Sequence, residues 1–171
     1  MTGKTTQAEV TQSCAFLLPH ELLDVLHRLG DRSMLHATEG LEPKSLEHLL
    51  KMQGPLGQPL VALGLWGDGV PCNWDRTESV EVFSLNLPGQ GDKYSNLRLP
   101  LTGLSRKQIS EHTFDDIMEV LVWSLRHCYA GTFPRCRHDG AAFSKTDQKH
   151  KKLYEKSDYQ LGFRGTLVEV R

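Results

Sequence analysis

Around residues 53–59 the hydrophobic period of this chain changes, and few folds accept both halves. Before that stretch, apolar residues recur at helical spacing. Leu22, Leu26 and Leu29, backed by Leu23 and Val25, follow Pro19 and stop at Gly30; Leu46, Leu49 and Leu50 follow Pro43 and stop at Gly54. Proline suits a first helical turn, where its missing N–H has no intrahelical partner to lose. The stretch 53–59 itself (Gln-Gly-Pro-Leu-Gly-Gln-Pro) is turn chemistry. After it, residues 60–66 (Leu-Val-Ala-Leu-Gly-Leu-Trp) are almost continuously apolar, the pattern of a central strand covered on both faces. The expected division is a polar leader and helical segment over 1–55, then a sheet-bearing domain over 56–171.

Gly67-Asp68-Gly69 is expected to break the first strand. Residues 79–87 alternate and predict a second, closed by Pro88-Gly89. Residues 94–101 predict a third, with Leu97, Leu99 and Leu101 on one face and Pro100 marking an edge or a bulge. The short loops suit a meander. A helix follows, with Thr113 as N-cap, Asp116 completing a capping box, and Phe114, Ile117, Met118, Leu121, Val122, Leu125 and Cys128 as its apolar stripe up to Gly131. Residues 132–160 are polar and basic, with a short helix near 148–155, and 165–171 reads as a strand. The fold class is therefore α/β. The order of elements is the opening half of a ribonuclease-H-like fold: a three-strand antiparallel meander, a crossover helix and a fourth strand parallel to the first.

In that topology a carboxylate on strand one and another just after strand four come together. They can hold two divalent metals about 3.5–4 Å apart, which activate a nucleophile and stabilise the leaving oxygen of a phosphodiester. Residues 63–71 (Leu-Gly-Leu-Trp-Gly-Asp-Gly-Val-Pro) resemble the first-aspartate strand of DDE/D cut-and-paste transposases, nearest to the CACTA-like and related groups. Residues 80–88, ending Asn-Leu-Pro, resemble their second strand, 114–131 the following helix, and 165–171 their fourth strand. The resemblance covers roughly 58–171. It implies that Asp68 is the catalytic, metal-binding first aspartate, that the metal is Mg²⁺, and that an intact relative would be a DNA transposase. No residue matches the second or third carboxylate; Glu169 sits before the expected place. Because 165–171 meets the last residue without a turn, we expect a chain that stops before its site is complete, inactive alone and prone to self-association through an exposed edge strand. The other reading is a small interaction module in which Asp68 merely shapes a Gly-Asp-Gly turn.

Charge enters at the C-terminal end. The formal net charge is −1, yet residues 135–171 carry nine Lys/Arg against five Asp/Glu, while the rest carry eleven against sixteen. Lys145, Lys149, Lys151, Lys152 and Lys156, with Tyr154 and Tyr159 between them, form the candidate nucleic-acid surface, DNA being the partner the resemblance implies. Asp147, Glu155 and Asp158 dilute it. His127, Cys128, Cys136 and His138 are zinc-type ligands but lack paired C-x₂₋₄-C spacing. Pro88 to Lys93 lacks the phosphate-loop pattern and reads as a hairpin loop. Four scattered cysteines, no apolar leader and no run of about 18 apolar residues imply reduced thiols in an intracellular protein, nuclear or cytoplasmic, without a membrane span.

Overall fold

A computed structural model of the chain describes residues 13–30, 32–75, 77–91 and 98–169. Its elements are α1 (Pro19–Leu29), α2 (Arg32–Leu35), α3 (Pro43–Gln53), β1 (Val61–Pro71), β2 (Ser79–Asn86), β3 (Leu99–Ser105), α4 (Thr113–Ala130), α5 (Gln148–Lys156) and β4 (Gly165–Leu167). The leader 1–12, the first half of the expected third strand and residues 170–171 lie outside the described residues.

The strands form one sheet in the order β3-β2-β1-β4. β2 pairs antiparallel with both β1 and β3. β4 runs parallel to β1, placing Val61, Ala62 and Leu63 opposite Gly165, Thr166 and Leu167. A meander, a long helix and a parallel return beside the first strand make this an α/β fold, consistent with a partial ribonuclease-H-like arrangement. The Pro100 signal is also met: the β2–β3 register slips between Phe83 and Ser84, and Pro100 lies opposite Ser84 just past the slip.

Gly67-Asp68-Gly69 does not break the first strand. β1 continues through it to Pro71, with Gly67, Asp68 and Gly69 opposite Phe83, Val82 and Glu81. The ladder supplied by β2 satisfies the backbone there. The two glycines also leave room for their neighbours, since a Cβ on Gly67 would lie 3.3 Å from the Phe83 ring and one on Gly69 3.0 Å from the Glu81 carboxylate. Burial changes along the strand, from four buried residues at Val61–Gly64 to exposed ones at 67–71.

One sheet face carries the larger core, in which Leu63 and Leu85 meet Ile117 and Leu121 of α4, Leu23 of α1 and Leu35 of α2. At the start of β1 the other face is covered by α3, where Ala62 joins Leu49, Leu60 and Val168. α4 differs from expectation in two respects. Its cap residue is His112 and no side chain caps it; Thr113 Oγ1 instead accepts from the Ser110 N–H at 2.8 Å. Asp115 and Asp116 still favour the N-terminal end of the helix dipole. Its buried stripe is also rotated, taking in Ile117, Leu121, Ser124 and Cys128 and leaving Phe114, Met118 and Val122 about 40% exposed. The helix ends where expected, at Gly131 with φ +69°. Gly89 explains another part of the pattern. Its Cβ would lie 1.8 Å from the Ala37 carbonyl, so only glycine lets the 88–90 turn pack beside the loop after α2.

Candidate functional site

Alternation along β1 fixes where Asp68 points. Trp66, Asp68 and Val70 share a face with their β2 partners Ser84, Val82 and Val80, the face opposite the one holding Leu63, Leu85 and α4. There a shallow depression is lined by Asp68, Val70, Val82, Ser84, Arg98 and Pro100. The Arg98 guanidinium stacks over the Trp66 ring at 4.3 Å from its centroid. On the same face, Trp66 Nε1 and Asn86 Oδ1 are buried without a hydrogen-bond partner among the described residues. Asp68 is thus an exposed carboxylate in a strand, not a turn former.

The parallel partner of β1 meets its other end. Leu63 lies opposite Leu167, and Asp68 is five residues (68 against 63) further along β1, about 17 Å at strand rise. Glu169 is engaged near α3, where its carbonyl accepts from Ser45 Oγ at 2.7 Å. Among the described residues no three His, Cys, Asp or Glu side chains gather into a group able to hold a metal ion. The zinc-type constellation does not assemble either. Cys128 is fully buried, with burial pushing its thiol well above the ordinary range, and His127 Nδ1 lies 3.0 Å from the Thr132 carbonyl.

The candidate lysines divide between positions. Lys149, Lys152 and Lys156 are exposed on α5, and Lys145 is exposed in the turn before it. Lys151 leans toward Glu155 at 3.8 Å. The two tyrosines are not on that surface: Tyr154 is 0% exposed in the core, and Tyr159 is covered by the Arg135 guanidinium at 4.3 Å.

Tyr154 belongs instead to a polar chain that hydrophobic patterning does not reveal. His20, buried completely, has Nδ1 2.7 Å from Ser124 Oγ and Nε2 3.1 Å from the Tyr154 hydroxyl. Tyr154 donates its own proton to Glu21 Oε1, which also lies 2.6 Å from His150 Nδ1. Because that proton goes to a carboxylate, the Tyr154 oxygen must accept from His20. This assigns imidazole as the Nε2–H tautomer, with Nδ1 accepting from Ser124. The His20 backbone N–H in turn donates to Ser124 Oγ at 3.2 Å. Burial, with help from His127 and His150, lowers the His20 pKa to about 3, so the ring is neutral. Burial and the Glu21 carboxylate both raise the Tyr154 phenol. With Ser124 fully buried, no substrate reaches it, and the chain acts as a bolt joining α1, α4 and α5 rather than a nucleophilic triad. Glu21 and His20, directly after Pro19, were readable only as helix-start residues.

Comparison with protein-family models, curated proteins and solved structures finds no match to this chain. Among the described residues no helix is long and apolar enough to cross a membrane.

Proposed function

We propose that this chain is a transposase-derived scaffold of ribonuclease-H-like type that keeps a first metal-binding aspartate, Asp68, and does not cut DNA by itself. The observation that supports the reading is the central position of β1. It bears an exposed Asp68, pairs antiparallel with β2 on one side and parallel with β4 on the other. DNA is the substrate class of this reading, and Mg²⁺ its metal. One carboxylate leaves Mg²⁺ mostly water-bound, so binding is weak. The test is a Mg²⁺ titration into the tens of millimolar, followed by amide NMR shifts around Asp68 and Val82. Shifts that vanish in Asp68→Asn support it; identical titrations of both proteins refute it. Self-association belongs to the same reading. β4 is the outermost strand beside β1, and Leu167 on it is 38% exposed.

A second reading, an interaction module without inherited chemistry, is favoured by Arg98. A guanidinium lining the same depression as Asp68 opposes a divalent cation there. Mg²⁺-insensitive spectra select this reading.

A further inference from the structure

The structure assigns the outer face of α5 as a contact surface for the phosphate backbone of duplex DNA, made by Lys149, Lys152 and Lys156 with Lys145 beside them. The choice of DNA rests on the reading above; the surface itself rests on how the fold sorts its charges. Residues 149, 152 and 156 are spaced three and seven apart, so they share one helix face over about 10.5 Å of rise. The opposite face holds the buried Tyr154, and Leu153, which borders the stripe beside Lys149, packs partly against the core. Two of the three acidic residues interspersed in the sequence are engaged locally, while Asp158, just past the helix, is exposed. Asp147 accepts from the Ser144 N–H at 2.8 Å and its hydroxyl at 2.7 Å, which holds its carboxyl below the usual range. Glu155 sits toward Lys151, and Glu21 takes His150 and Tyr154. The result is three exposed cations on a helix bolted to α1, with Glu155 on their flank drawn toward Lys151.

Two other polyanions fit less well. A single-stranded nucleic acid is held through aromatic stacking as well as charge, and both tyrosines of this segment are withdrawn, one into the core and one under Arg135. A membrane-surface helix needs an apolar face free to enter the lipid, whereas that of α5 is already spent on the core. What remains is a sequence-blind contact with a rigid, regularly charged rod.

The test is a fluorescence-anisotropy titration of a duplex DNA of mixed sequence across a range of salt concentrations, using the full chain. Three phosphate contacts give a slope of log K against log salt of about −3, with a Kd in the range of about 10⁻⁴ to 10⁻⁶ M. The triple variant Lys149→Gln/Lys152→Gln/Lys156→Gln is expected to flatten the slope toward zero and weaken binding at low salt at least about tenfold. Lys44→Gln/Lys51→Gln, on the exposed side of α3, is expected to change little. All five side chains are exposed or at the surface, so circular dichroism should match wild type. The inference is overturned if the triple variant binds as wild type, if the α3 variant weakens binding as much, or if phosphatidylserine vesicles or single strands bind as tightly as the duplex. Asp68→Asn separates the two proposals: it abolishes the Mg²⁺ shifts and leaves DNA binding intact.

Discussion

His20 is a polar side chain sealed in an apolar core, and each of its ring nitrogens has one partner, Nδ1 accepting from Ser124 and Nε2–H donating to Tyr154. Removing one partner is therefore costlier than the hydrogen bond itself. Tyr154→Phe keeps the ring stacked on Phe133 but leaves the His20 Nε2–H and the Glu21 carboxylate short of a partner. The expected loss is about 1–3 kcal/mol in urea unfolding. Ser124→Ala should cost a similar amount, and the double variant less than the sum, because both act through one imidazole. The same residue sets a pH dependence. Its folded pKa is about 3 against 6.5 for the free side chain, so between those values the unfolded chain binds the extra proton. Stability is thus fully present above pH 6.5 and falls on acidification, by up to about 1.4 kcal/mol per pH unit from this group. His27, His36 and His127, also lowered by burial, act in the same direction; Asp24, raised by burial, acts against them. Denaturation at pH 7, 6, 5 and 4 checks the sign: a flat or rising profile contradicts a neutral buried His20.

At the scale of elements, α4 shows what a hydrophobic pattern can and cannot convey. The seven apolar positions read from the sequence span an arc wider than one contact, and only packing decides which part is used. Leu121→Ala is expected to cost about 2–5 kcal/mol, whereas Met118→Gln, 40% exposed, should stay within about 0.5 kcal/mol of wild type; equal losses would restore the broader stripe. The strand and helix signals were legible because period and punctuation agree at Pro19, Pro43, Gly54 and Gly131. β1 outran its expected end because a ladder partner decides whether Gly-Asp-Gly stays extended, and that partner lies more than ten residues away in the chain. Asp68 was identifiable as a residue to watch, but the cation lining its depression, Arg98, was not. The α5 lysines were legible as a charge run; which face of the helix stays exposed, and that Tyr154 turns inward, followed only from the docking of α5 on α1.

For the molecule as a whole, one edge of the sheet is lined, and among the described residues no further strand pairs with β4 at the other. Beside β3, the Leu17 N–H donates to the Leu101 carbonyl at 2.8 Å and Thr102 Oγ1 to that of Ala15 at 2.9 Å, so the segment before α1 lines that edge. β4 has three residues and an exposed Leu167, and α4, which packs against it, exposes Met118 and Val122. Light scattering over a tenfold concentration range should show mass rising with concentration, and Leu167→Lys should suppress the rise through like-charge repulsion at the edge. A mass that stays monomeric throughout would mean that this edge is silent.

The most direct test of descent from a metal-dependent DNA enzyme is paramagnetic relaxation by Mn²⁺ at substoichiometric amounts, read on assigned amide resonances. The structure and its proposed function together predict broadening centred on Asp68 and spreading to Val82 and Ser84 across the ladder, lost in Asp68→Asn. Broadening centred elsewhere on the chain, or unchanged in the variant, would contradict it and leave β1 as the middle strand of a sheet without inherited chemistry.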